Sequence, residues 1–124
     1  MPYAIVREKL GAHKRFWGVV TPEEFLESVE RFHSDPFFEN IRYTINDFTA
    51  TESFVLSESH IEDAAAINIG SAATNARITV LAVTTNPLII GMAKKYDQLH
   101  LSTPILIFAT LEEARAWIKA EVGA

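Results

Sequence analysis

Two continuous apolar runs constrain the fold of this chain more than any other feature. They lie within residues 77–84 and 104–109 and contain Ile-Thr-Val-Leu-Ala-Val and Ile-Leu-Ile-Phe-Ala. Neither run alternates between apolar and polar residues, which is typical of parallel strands buried on both faces. Parallel neighbours need a crossover, and the segment between the runs fits a helix. Asn86 is its predicted N-cap, and Pro87 suits the first helical position.

Three further helices begin with a capping-box pattern, in which Ser or Thr precedes Glu by three residues. The first follows Thr21, with Glu24 completing the box, and ends before an Asp-Pro pair. The second helix is Ser59–Asn75, capped by Ser57 or by Ser59 itself. The last helix follows Thr110.

The remaining strands are predicted from alternation and from turn residues. Tyr3–Lys9 alternates and indicates an edge strand. A turn at Leu10–His13 then leads to an antiparallel second strand, Arg15–Val20. The third strand is Ile41–Asn46, followed by a polar connection over Asp47–Ser59. The order ββαβαβαβα predicts one α/β domain over residues 1–124, with a mixed, mainly parallel five-stranded sheet and four helices.

Composition narrows the classes of partner. The formal net charge is −5, which argues against nucleic acid, because phosphate binding needs clustered Lys and Arg. The adjacent basic pairs Lys14-Arg15 and Lys94-Lys95 are too short for a binding tract. The chain has no cysteine, which fits a reducing compartment. With no signal-peptide pattern at its N-terminus and no apolar run long enough to span a membrane, we expect a cytoplasmic protein.

Three stretches of the chain resemble a known family. They are Trp17–Phe25, Arg77–Tyr96 and Phe108–Ile118. In order, they look like the second strand with the first helix start, the buried strand with its following helix, and the C-terminal helix of the bacterial STAS-like family. That family consists of small, mostly uncharacterised proteins similar to the STAS domain of anti-sigma-factor antagonists. The resemblance implies a STAS-like fold and a non-enzymatic regulatory or protein-interaction module.

The chain departs from the family pattern at one functional position. STAS antagonists carry a phosphorylatable Ser directly after the Asp that ends the third strand. Here Asp47 is followed by Phe48 and then by Thr49. The resemblance therefore implies no phosphorylation switch at that position.

No motif of catalysis or metal binding is present. The histidines His13, His33, His60 and His100 have no helical or finger spacing that would suit a metal. The chain lacks a G-x-S-x-G elbow and a glycine-rich phosphate loop. We therefore predict no catalytic residue, no metal and no cofactor.

Polar residues near the predicted carboxyl ends of the strands form a candidate ligand site. They are Asp47, Thr49, Thr51, Thr85 and Asn86. Ligands of open α/β sheets bind at this edge, where helix N-termini offer free N–H groups. The simpler interpretation is that these residues only cap helices. If the site binds a ligand, the alternative function is a carrier of a small molecule such as a lipid or nucleotide.

The helix Ser59–Asn75 is a candidate interaction surface. Small and apolar residues extend over a second side of this helix: Ala66, Ile67, Gly70 and Thr74. A helix that is apolar on two sides is buried on two sides. A homodimer or partner contact would explain this pattern, and so would close packing beneath the preceding loop.

Overall fold

A computed structural model describes residues 2–72, 75, 77–99 and 105–123. In chain order the elements are β1 (Tyr3–Arg7), β2 (Gly11–Val20), α1 (Pro22–Ser34), a 3-10 helix (Pro36–Asn40), β3 (Tyr43–Phe54), α2 (Glu58–Ala72), β4 (Thr79–Val83), α3 (Pro87–Leu99), β5 (Ile105–Phe108) and α4 (Leu111–Glu121). The predicted α/β class is confirmed. None of the helices in these ranges is long and apolar enough to cross a bilayer.

The described strands form one five-stranded sheet in the order β1-β2-β3-β4-β5. β1 is antiparallel to β2, and each later pair of neighbours is parallel, so the predicted mixed and mainly parallel sheet is confirmed. Three successive crossovers step in the same direction across the sheet, which places α1, α2 and α3 on one face. The last helix, α4, contacts β3, β4 and β5 on the opposite face.

The sheet is covered unequally on its two faces. On the side of α1–α3, the core contains aromatic and aliphatic residues from β2, β3 and α3, including Phe16, Phe48 and Ile89. On the other side, α4 buries Ala114 and Ile118 against β3 and β4. Since α4 lies over β3–β5, part of the β1–β2 face stays open, and Val6 and Trp17 there are 45% and 40% exposed.

The predicted helix starts are confirmed by their hydrogen bonds. The backbone N–H of Glu24 donates to the Thr21 hydroxyl and the Thr21 N–H donates to the Glu24 carboxylate, which completes the capping box. The Ser57 hydroxyl accepts from the N–H of His60, the Asn86 side chain from Leu88, and the Thr110 hydroxyl from Glu113. Local capping therefore sets each of these ends.

Two predicted strand boundaries are wrong. β2 begins at Gly11 rather than at Arg15, because Gly11 pairs with Tyr43 inside the sheet. A Cβ at Gly11 would lie 2.4 Å from the Tyr43 ring, so this glycine permits a close approach within a strand and does not form the predicted turn. β3 continues to Phe54 through the stretch predicted as a polar connection. Backbone pairing with β2 and burial of Phe48 and Phe54 stabilise this extension.

Candidate functional site

A buried lysine lies near the centre of β2. Alternation along this strand directs Ala12, Lys14 and Phe16 towards the layer of α1–α3, and Lys14 is only 3% exposed. Its neighbour Arg15 is exposed. The adjacent basic pair in the sequence is therefore not a charged patch, because its two members differ completely in their exposure to solvent.

The Lys14 amine is surrounded by aromatic rings. Its Nζ lies 5.6 Å, 5.7 Å and 5.5 Å from the ring centroids of Phe16, Phe25 and Phe32, respectively. These distances fall within the range of cation–π contacts. Within the described ranges, no carboxylate pairs with the amine and no group accepts a hydrogen bond from it.

Burial determines the protonation of this amine. Loss of hydration disfavours the ammonium form and lowers the pKa of Lys14 from 10.5 to about 7. The three ring faces attract a cation and so partly oppose this effect. At neutral pH the amine is consequently present in comparable amounts as a neutral nucleophile and as a cation.

Lys14 lies at the wall of an interior cavity between the sheet and the helices. The cavity has a volume of about 90 Å³. Its walls come from β2–β5 and α1–α3 and are mostly apolar, with Phe25, Phe48, Leu56, Ile89, Met92 and Ile105 among them. A buried polar group surrounded by apolar walls is the usual composition of a small-molecule site.

Two other polar residues lie close to Lys14 on the same face of the sheet. Asn46 is the register partner of Lys14 across β2 and β3, and Thr44 precedes Asn46 by two residues. Both also line the cavity. The Thr44 hydroxyl is buried and has no hydrogen-bond partner among the described residues. An unpaired buried hydroxyl costs about 1–3 kcal/mol, so the cavity holds two polar groups with unused hydrogen-bonding capacity.

The opposite face of the sheet contains a second polar group. His13 Nε2 lies 2.8 Å from Asp47 Oδ2, and both residues are buried. The other carboxylate oxygen of Asp47 accepts from the Thr49 hydroxyl at 2.7 Å and from the Thr49 backbone N–H at 3.0 Å. Burial opposes ionisation of Asp47, but the hydrogen bonds from Thr49 and His13 outweigh it and lower the pKa of this carboxyl.

This arrangement orients His13 but does not form a nucleophile–base–acid relay. The Thr49 hydroxyl donates to Asp47, whereas a relay would need a hydroxyl that donates to the imidazole. An open groove surrounds the pair and includes Val6, Arg15 and Trp17. The geometry fits a structural hydrogen-bond network beneath the open β1–β2 face.

The structure separates the five residues of the predicted ligand site. Asp47 and Thr49 lie together, but within β3 rather than at its carboxyl end. The Thr51 hydroxyl donates to the Phe48 carbonyl. Thr85 is exposed and Asn86 caps α3; neither lines the cavity or the groove. Ligand binding at these residues stays a prediction.

The predicted interaction surface lies on α2. Ala66 is exposed and Ile67 is partly exposed there. The surroundings of Gly70, together with Thr74, lie outside the described residues. An interface at this surface stays a prediction.

Sequence reasoning missed Lys14 because the start of β2 was misplaced. A strand from Gly11 would have put Lys14 in phase with Ala12 and Phe16, and that alternation was the available signal. Within the described part of the chain, no group of three or more His, Asp or Glu side chains is placed to hold a metal ion. In comparisons with known proteins, no family model, no curated protein and no solved structure matches this chain.

Proposed function

We propose that this protein is a non-enzymatic binding protein whose interior cavity holds a small apolar molecule with an oxygen acceptor at one end. The observation that carries this proposal is the Lys14 amine, which is buried against an apolar cavity with no described partner. Burying such a group without compensation destabilises the fold. Groups of this kind are concentrated at functional sites, where a ligand supplies the missing interaction.

The polar groups of the cavity define the chemistry of the ligand. The Lys14 amine and the Thr44 hydroxyl both donate hydrogen bonds. A carbonyl or carboxylate oxygen accepts from both, and the apolar part of the molecule then lies against the walls formed by residues such as Ile89 and Met92. The site therefore favours short-chain acids, aldehydes and ketones over hydrocarbons of the same size.

The volume of the cavity limits the size of the ligand. An apolar cavity of about 150 Å³ accommodates benzene. The cavity beside Lys14 is smaller, at about 90 Å³. It therefore suits molecules of about six non-hydrogen atoms or fewer. This favours a small metabolite over the lipid or nucleotide expected from the sequence.

Methionine methyl NMR provides a direct test, because the chain has two methionines and Met92 lines the cavity. With methyl-labelled methionine, butyrate and butanone are expected to shift the Met92 resonance saturably, while the Met1 resonance stays unchanged. A Met92→Leu variant assigns the signal. Lys14→Met, which keeps the chain length and removes the amine, is expected to weaken binding of both compounds.

Two outcomes would refute the proposal. One is a Met92 resonance that neither compound moves. The other is equal binding by Lys14→Met, which would show that the amine does not contact the ligand. Butane-sized molecules without an acceptor, such as chloropropane, serve as the matched ligand control.

A regulatory module of STAS-like type, read by a partner protein, is the second proposal. The observation in its favour is the open β1–β2 face, where Val6 and Trp17 are exposed on strands adjoining the cavity. Exposed apolar side chains grouped on one face are common at protein interfaces. Trp17→Ser is expected to abolish recovery of a partner from the source cell and to leave circular dichroism unchanged. Recovery at the wild-type level would refute this second proposal.

A further inference from the structure

We infer that the Lys14 amine captures a short-chain aldehyde or ketone covalently, as a reversible Schiff base inside the cavity. This inference rests on the proposed function, because it assigns a chemical class and a bond to the ligand of the same cavity. It goes further than binding, since a carboxylic acid of equal size would occupy the site without reacting.

The position of the amine supplies the first condition for this reaction. Nucleophilic attack needs a nitrogen lone pair that no ion pair holds in the ammonium form. Within the described residues Lys14 has no carboxylate partner, and it lies at the cavity wall among ring faces. A carbonyl carbon held in the cavity would therefore meet the amine without displacing another contact.

The protonation state supplies the second condition. Burial lowers the pKa of Lys14 to about 7, so about half of the amine is neutral at that pH. An exposed lysine with its ordinary pKa is neutral in roughly one molecule in several thousand at the same pH. Lys14 therefore has a large advantage in nucleophile concentration over the exposed lysines of the chain.

The reaction balances with the groups present. The neutral amine attacks the carbonyl carbon, a C–N bond forms, and the carbonyl electron pair moves to oxygen. A proton passes from nitrogen to that oxygen and gives a carbinolamine. Loss of its hydroxyl group with the second amine proton then gives C=N and one water molecule. The Thr44 hydroxyl, buried at the same cavity, is the donor available to the oxygen as negative charge develops on it.

The surroundings also favour the product. A protonated Schiff base carries a positive charge where the ammonium was, between the rings of Phe16, Phe25 and Phe32. Aromatic faces stabilise such a cation. Apolar walls limit access of the water that would hydrolyse it. The same cavity therefore promotes capture and slows release.

Reductive trapping tests the inference on the intact protein. Butanal and cyanoborohydride at pH 7 convert each Schiff base into a stable butyl-lysine, and peptide mapping by mass spectrometry identifies the modified residues. The chain provides internal controls in its other lysines, which are all exposed: Lys9, Lys94, Lys95 and Lys119. We expect Lys14 to be modified at least about tenfold faster than each of these, since its neutral fraction is far larger.

Further controls separate reactivity from access. In urea the preference for Lys14 is expected to disappear, because unfolding restores its ordinary pKa. Thr44→Val is expected to fold normally and to slow modification of Lys14 alone. Butyrate, as an unreactive occupant, is expected to protect Lys14 and not the exposed lysines.

Each outcome decides between the two proposals. Preferential trapping at Lys14 supports both. If butanone or butyrate shifts the Met92 resonance but Lys14 is trapped no faster than the exposed lysines, binding is non-covalent and the Schiff-base inference is overturned while the proposed function stands. If no compound shifts Met92 and Lys14 shows no preference, both are overturned.

Discussion

Replacing Lys14 by Met should stabilise the protein, which is an unusual expectation for a buried residue. The two side chains have similar length and volume, so the change preserves packing and removes the amine. The fall of the Lys14 pKa from 10.5 to about 7 corresponds to a destabilisation of the charged form by about 5 kcal/mol. Contacts with the aromatic rings return about 1–2 kcal/mol of this. We therefore expect Lys14→Met to raise the free energy of unfolding by about 3–4 kcal/mol at pH 6.

The gain should depend on pH in a defined direction. Between pH 7 and 10.5 the unfolded chain binds a proton at Lys14 that the folded chain does not, so the stability of the wild type rises with pH. Lys14→Met lacks this rise. The difference between the two proteins is therefore largest below pH 7 and shrinks towards pH 10.

Urea denaturation followed by circular dichroism at pH 6, 7, 8, 9 and 9.5 measures this difference. Other titrating groups are present in both proteins and cancel in the comparison. Lys9→Met is the matched control, because Lys9 is exposed and its loss should give no pH-dependent gain. If Lys14→Met is less stable than the wild type at pH 6, or if the difference is constant with pH, the amine is hydrated or paired in solution and the reasoning about the cavity fails.

Three further predictions concern other parts of the fold. Gly11→Ala should lower the free energy of unfolding by about 1–3 kcal/mol, because its Cβ would overlap the Tyr43 ring. Gly91→Ala, at an open helical position, should raise it by up to about 1 kcal/mol, and equal urea midpoints would contradict the close approach at Gly11. Asp47→Asn should cost about 1–3 kcal/mol at pH 7 and less at pH 3, because the lowered pKa stabilises the fold above the unfolded pKa and this contribution is lost on acidification; a cost independent of pH would contradict the ionised hydrogen-bond network. Ala66→Arg should leave circular dichroism unchanged and reduce the mass of any dimer in analytical ultracentrifugation, whereas an unchanged dimer would exclude this surface.

Capping residues and buried apolar runs could be located from the sequence because their physical causes are local. The side chains of Thr21, Asn86 and Thr110 bond to backbone groups two or three residues further along, so the pattern that predicts the helix is itself the contact that starts it. The runs that form β4 and β5 are apolar on both faces, and such segments have few alternatives to the centre of a parallel sheet.

The second half of β3 and the environment of Lys14 were decided by tertiary structure. Residues from Asp47 to Phe54 carry the Thr and Ser side chains of a loop, yet they form a strand because β2 extends far enough to pair with them. The same extension of β2 places Lys14 among three phenylalanines and brings His13 within hydrogen-bond distance of Asp47. These contacts join residues far apart in the chain, and pairing between distant strands depends on the register of the whole sheet rather than on any short stretch of sequence.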